Sequence, residues 1–197
     1  MMITKGEQTS SKIVDVARQL FEQQGYHGTS MRQIAQETGI ALSGIYNHFE
    51  SKEDIFVKVM EIYHPYHEIM PIVRAATGDT AEEFVKHVAE GMISVLDRRP
   101  DFLNLMLIEM VEFKSRHMPG LMELFLPQVL SIVQDFATMK VNVRPIPIPV
   151  IVRVFLANFY AYFLIENILG DNFPVEMRED ALKHTIDIFL HGILTEE

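Results

Sequence analysis

Cysteine is missing from this 197-residue chain. That excludes disulfides, thiolate catalysis and cysteine metal sites, and it fits a reducing, cytoplasmic setting. Residues 1–8 contain no apolar run of the secretory type, so no signal peptide is expected there. A long charge-free run is missing too. Residues 154–165, bounded by Arg153 and Glu166, number only 12, whereas a spanning helix needs about 20. They read as a buried or subunit-interface helix, and no membrane partner is expected. A Gly-rich phosphate loop and a defensible nucleophile–base spacing are both lacking, so neither an enzyme nor a bound cofactor is expected. Positive charge is scarce: 17 Lys and Arg face 27 Asp and Glu, a net charge of −10. The first 55 residues hold five cations and seven acids, so the acid excess sits mostly downstream. Taken alone this balance argues against nucleic acid; only a local arrangement of cations offsets it.

What remains is apolar and helical. Hydrophobic residues make up 48% of the chain, enough for a sizeable core. Alternation of the strand type is nearly absent, and no internal repeat is visible. Ile13, Val14, Ala17, Leu20 and Phe21 line one face of a helix over residues 10–24, which Gly25 stops. Ser30 with Gln33 is a capping-box signature for a second helix, ended by Thr38-Gly39. Residues 41–47 make a short third helix. Ser51 N-caps a long fourth one, rich in acids in its first turn, which Pro65 or Pro71 bends or ends. Further helices are expected over 80–96, over 101–114 with Asp101 as N-cap, over 121–140 with a kink at Pro127, over 150–169, and over 174–193. Residues 144–149 read as an extended proline-rich connector.

The informative spacing is Ala35, Gly39 and Ile45. A helix-turn-helix needs a small residue where two helices nearly touch, a glycine four positions on for a left-handed turn, and a branched residue inside the second helix. Around that core lie Ile13, Ala17, Leu20-Phe21, Gly25-Tyr26, Thr29-Ser30, Ile34-Ala35 and Gly39-Ile40, continuing as Ile45-Tyr46-Asn47-His48-Phe49-Glu50-Ser51-Lys52-Glu53-Asp54-Ile55. This run, about the first quarter of the chain, resembles the opening of the TetR family of transcriptional regulators. The resemblance implies an all-α fold. Residues 1–55 would form a three-helix DNA-binding domain with a helix-turn-helix, and residues 56–197 a helical ligand-binding and dimerisation domain.

A short helix in a major groove presents its N-terminal residues to base edges. Ala41 and Leu42 suit thymine methyls, Ser43 a base or phosphate, Asn47 adenine, and Arg32 guanine or phosphate. The resemblance implies phosphate contacts at Tyr46, His48 and Lys52 and around Thr29 and Ser30. The chain departs from the family's usual pattern in having Ala41 rather than serine, no cation within the third helix, and Ser43-Gly44 in place of glycine first. Modest non-specific affinity, a flatter salt dependence than that of a basic regulator, and base readout that leans on apolar contacts follow.

Downstream, Phe102, Met106, Glu109, Met110 and Phe113 share a helical stripe, and Met60, His67, Phe125 and Phe159 join them as candidate effector-pocket residues. Methionine-rich linings suit a small hydrophobic or aromatic effector. Glu109 needs a partner: Arg116, Arg153 or a ligand. His64 and His67 read as a solvated or pocket-lining pair, and no metal is expected. Phe155, Tyr162, Phe163, Leu182, Ile186, Phe189 and Ile193 mark two apolar helices that either pack internally or pair across a homodimer. The expected function is a ligand-responsive regulator, a repressor by the family's habit, that holds a pseudo-palindromic DNA operator as a homodimer and is released by an apolar effector. The alternative is a helical hydrophobe- or lipid-binding protein without a DNA role.

Overall fold

A computed structural model describes residues 4–76, 80–138 and 144–193, with side chains throughout except at 81, 131–138, 171 and 193. Among these residues every regular element is a helix. The chain divides into two compact units, Met1–His64 with Asp101–Leu121, and Pro65–Pro100 with Met122–Glu197.

The first unit begins with α1 (Lys5–Gly28), opened by a capping box between Thr4 and Glu7 and broken at Gly25, where φ is 75°. α2 (Met31–Thr38) has the expected capping box of Ser30 and Gln33. It ends at Gly39 in the left-handed conformation, φ 76° and ψ 30°. The Gly39 N–H closes the helix on the Ala35 and Gln36 carbonyls, a conformation that costs a side-chain-bearing residue about 1 kcal/mol or more. α3 (Leu42–Tyr46) follows with Ala41 as an N-cap that offers no side-chain oxygen. In α4 (Lys52–Tyr63) the Asp54 N–H donates to Ser51 Oγ at 3.1 Å. Pro65 ends α4 rather than bending it, since its ring cannot supply the next N–H.

Ile13, Val14, Ala17 and Phe21 of α1, Ile34 and Ala35 of α2, Ile45 of α3, and Ile55, Phe56 and Val59 of α4 are all buried together. Each large side chain among them contributes about 1.5–3 kcal/mol. α7 (Pro100–Glu112) brings Phe113, just beyond its end, against them: its ring stacks on Phe56 at 5.0 Å and meets Tyr26 edge-on at 4.8 Å. Asp101 lies inside the first turn of α7 and is not its N-cap, because Pro100 already takes the first helical position.

The second unit contains α5 (Tyr66–Ala75), with Pro71 inside it, and α6 (Ala81–Asp97). They pack closely at Gly91, where a Cβ would strike Ile72. α8 (Met118–Thr138) starts three residues earlier than the sequence pattern suggests and contains Pro127. α9 (Ile148–Leu169) includes Ile148 and Pro149, which the proline pattern assigns to the connector; proline is at home in a first helical turn. The last expected helix is divided into α10 (Val175–Arg178) and α11 (Ala181–Ile193) by Asp180, φ 55°. α6, α9 and α11 bury Val88, Met92, Phe159, Phe163, Ile186 and Phe189 between them.

α9 is, by length and composition alone, long and apolar enough to cross a membrane, with a mean hydropathy of 1.9 and 17% of its most apolar window buried. It outruns the 12-residue stretch seen in the sequence because Arg153 and Glu166 lie within the helix rather than bounding it.

Candidate nucleic-acid interface

The hydrogen-bond geometry around Gly39 turns α3 sharply away from α2, with Ile45 buried as the lock between them. The side chains not used in that packing form one exposed set. Ser30 and Arg32 at the start of α2, Ala41 and Ser43 at the start of α3, and Tyr46, Asn47 and His48 at its end are all exposed. Tyr46 is 53% exposed, far more than a ring serving a core would be. Leu42 is half-buried. The set combines a guanidinium, hydroxyls, a phenol, an amide, an imidazole and a methyl, the chemistry that phosphates and major-groove edges accept.

Two residues expected at the phosphates have internal duties. Thr29 is buried, its hydroxyl donating to the Gly25 carbonyl at 2.9 Å. Lys52 Nζ donates to the Tyr26 and Thr29 carbonyls, each at 2.6 Å, and sits 4.0 Å over the Tyr26 ring. Burial pushes the Lys52 ammonium below the ordinary lysine range, against the pull of Glu112. An ammonium has three donors, so one is left for an anion. The lysine therefore ties the start of α4 to the end of α1, the negative end of a helix dipole.

Glu109 is fully buried, and its partner is neither Arg116 nor Arg153. Its Oε1 accepts the His117 backbone N–H at 2.9 Å, and its Oε2 lies 2.8 Å from His117 Nδ1. His117 Nε2 lies 3.0 Å from Glu53 Oε1, which also pairs with Arg116. The turn after α7 folds back over two left-handed residues, Lys114 and Ser115, so a histidine eight positions on reaches the carboxylate.

A second candidate site lies within the second unit. It is an apolar cavity with about 820 Å³ of empty space, counting its open mouth, lined by α5, α6, α8, α9 and α11. Met70, Phe84, Val88, Met92, Phe155 and Phe189 are prominent in the lining. Phe155 and Phe189, marked in the sequence as interface residues, thus face this cavity. None of the nine residues marked as pocket candidates lines it. Met60, Phe102 and Phe113 are buried in the first unit with Glu109, where Phe102 packs on His64 at 5.0 Å. Met106 is half-buried and Met110 exposed. Phe125 packs against Tyr66, whose ring also meets the exposed His67, and Phe159 is core. The sequence signal for the cavity was the stripe Phe84, Val88, Met92, which reads equally as plain core.

Among the interface candidates, Phe163 and Ile186 are buried within the unit, and Tyr162 and Leu182 are half-buried. The Ile193 side chain lies outside the described residues. The apolar face that α9 leaves exposed is another one, Val150, Val154, Ala157, Ala161, Ile165 and Ile168. Among the described residues no group of three or more His, Asp or Glu is placed to hold a metal.

Residues 13–59 match the model of the bacterial regulatory proteins of the tetR family. Over 58 residues the chain is 40% identical to the HTH-type transcriptional regulator AcrR of Shigella flexneri, spanning 27% of that protein. It is 23% identical over 190 residues to the uncharacterized HTH-type regulator YvkB of Bacillus subtilis, covering 94% of this chain and 97% of that one. Among solved structures, a TetR-family regulator from Mesorhizobium loti aligns with a TM-score of 0.74 and 20% identity over 98% of this chain and all of that one. The complex of SmeT with triclosan aligns with a TM-score of 0.68 and 15% identity over 96% and 93%. At those identities the structures establish the shared fold.

Proposed function

We propose, from the premise that this chain belongs to the TetR family of transcriptional regulators, that it is a cytoplasmic repressor. It binds a pseudo-palindromic operator as a homodimer and is released by a small apolar molecule. The observation that carries the DNA half is the exposed set around α3, with Tyr46 at the helix's C-terminal end. Arg32, Ser43 and Asn47 read bases, while Ser30, Tyr46 and His48 hold phosphates. Lys52 gives its remaining donor to a phosphate and otherwise braces α1. Two such wedges in a twofold dimer would enter successive major grooves about 34–36 Å apart.

The homodimer is supported by the exposed stripe on α9, whose spacing of three and four residues keeps it on one side of the helix. Its two alanines allow close approach of a second copy. The cavity in the second unit is the proposed effector site. Its lining of thioethers and hydrocarbon side chains favours an apolar occupant, as burial of a charge without a partner is costly. Release then requires only that the effector bind the DNA-free conformation more tightly than the DNA-bound one.

The test is fluorescence anisotropy against the DNA upstream of the chain's own gene. Tyr46→Ala should weaken binding at least about tenfold, the equivalent of about 1.4 kcal/mol. Its circular dichroism should be unchanged, because the side chain is exposed. Wild-type affinity in that variant removes Tyr46 from the interface.

A further inference from the structure

The link from Glu109 through His117 to Glu53 lies in the first unit and shares no residue with the exposed set or with the cavity lining. It joins the turn after α7 to the first turn of α4. Its proton count is unusual. Two hydrogen bonds, one on each imidazole nitrogen, require two protons. A neutral imidazole between two carboxylates brings one. An additional proton must therefore reside on the link, as imidazolium or as a carboxylic acid, or else one nitrogen lone pair faces a carboxylate oxygen. Solvent does not relieve that repulsion at Glu109, which is fully buried.

From this geometry we infer that His117 is a positioning residue for the helix-turn-helix, clamping the start of α4 to the turn after α7 only while the link holds its additional proton. Two further observations support it. The turn bringing His117 into place keeps Lys114 at φ 53° and Ser115 at φ 60°. Two consecutive left-handed residues other than glycine are strained and persist only where surrounding contacts hold them. At the other end, Glu53 follows Lys52, whose ammonium holds the carbonyls of Tyr26 and Thr29 directly before α2. Displacing the start of α4 therefore displaces the base on which α2 and α3 stand.

The charges around the link come from three elements. Lys52, Glu53 and Asp54 lie on the first turn of α4. Glu109 and Glu112 lie on α7, with Lys114 and Arg116 in the turn beyond it. Tyr26 and His27 lie at the end of α1, where His27 pairs with Glu112 at 2.5 Å. Arg116, on Glu53, opposes the additional proton, whereas the acids favour it. The folded clamp binds more protons than the released one, so it is complete at low pH and lost as pH rises.

The DNA part of the inference rests on the regulator reading, so the test has two arms. In the first, nitrogen NMR of histidine-labelled full-length protein counts ring protons, with the His117 signals identified by their loss in His117→Gln. An additional proton on the link, seen as two N–H groups or as one N–H with a nitrogen bonded to a carboxylic acid, is expected near pH 7. A single N–H beside a bare nitrogen overturns the inference. In the second, operator affinity is followed from about pH 5 to about pH 9, a span that includes the ordinary histidine range. Glu53→Gln replaces a carboxylate by an amide that donates to a neutral imidazole, which preserves the clamp without the additional proton. Wild-type affinity should fall about tenfold further than that of Glu53→Gln, one hydrogen bond to a charged group being of that size. Equal profiles overturn the inference. His48 in the proposed interface and the His27–Glu112 pair are present in both proteins, so the comparison isolates the change at Glu53. Failure of both proteins to bind DNA at any pH would sink the regulator reading instead, a result that the ring-proton count tells apart.

Discussion

Lys52 illustrates how a residue with an expected external role can be occupied internally. Its two carbonyl acceptors close the end of α1, and hydrogen bonds to a charged group are worth about 1.5–3 kcal/mol each, reduced here by the cost of partly burying the ammonium. Lys52→Met keeps the aliphatic stem and removes the donors. It should lower the unfolding free energy by about 1–3 kcal/mol in urea titration; a change within about 0.5 kcal/mol, the range of ordinary surface substitutions, would mean that the tie contributes nothing. A Lys52 variant that loses DNA binding therefore says little about phosphates, whereas Tyr46→Ala does. The residues that could be read from the sequence were those with local partners: Ser30 with Gln33, Ser51 with Asp54, Gly39 with Ala35. Lys52 could not, because its acceptors lie 23 and 26 positions back. The partner of Glu109 escaped for a different reason. Charge alone suggests an arginine, and no glycine marks the left-handed turn that brings His117 to it.

At the scale of elements, periodicity placed most helices correctly; α1 starts at Lys5 rather than at residue 10 because Thr4 and Glu7 form a capping box, and the differences downstream occur mostly where proline or a left-handed residue intervenes. Pro149 lies in the first turn of α9, and Asp180 divides α10 from α11, although proline elsewhere reads as connector and aspartate carries no break signal. The cavity shows the limit of periodicity. A stripe such as Phe84, Val88, Met92 states that a face is apolar but not whether side chains or empty space lie opposite. The contact of α5 with α6 supports a prediction in which two effects oppose. Gly91→Ala on an open helix would stabilise by about 1 kcal/mol through propensity. Here the new Cβ strikes the Cγ2 methyl of Ile72, and overpacking costs about 1–3 kcal/mol. The variant should melt below wild type by calorimetry. A higher melting temperature would place Ile72 away from Gly91.

For the molecule as a whole, the net charge of −10 and the exposed apolar stripe of α9 need a common account. A DNA-binding protein of this charge depends on a few well-placed groups rather than on bulk attraction, and the proposed twofold dimer would double them. Ala161→Glu places a carboxylate in the middle of the stripe, and across a twofold axis the charges would repel as well as lose water. Sedimentation equilibrium should give 22.7 kDa for the variant and twice that for wild type. A wild-type monomer would rule out the homodimer, and an unaffected dimer in the variant would move the interface elsewhere.

The central claim is that the α2–α3 pair, with exposed Tyr46 at the end of α3, docks in duplex DNA. Hydroxyl-radical footprinting of the region upstream of the gene tests it most directly. Two protected half-sites centred about one helical turn apart on one face of the duplex are predicted for wild type, with protection gone in Tyr46→Ala. Uniform cleavage with wild-type protein, or the same footprint in both, would contradict the account.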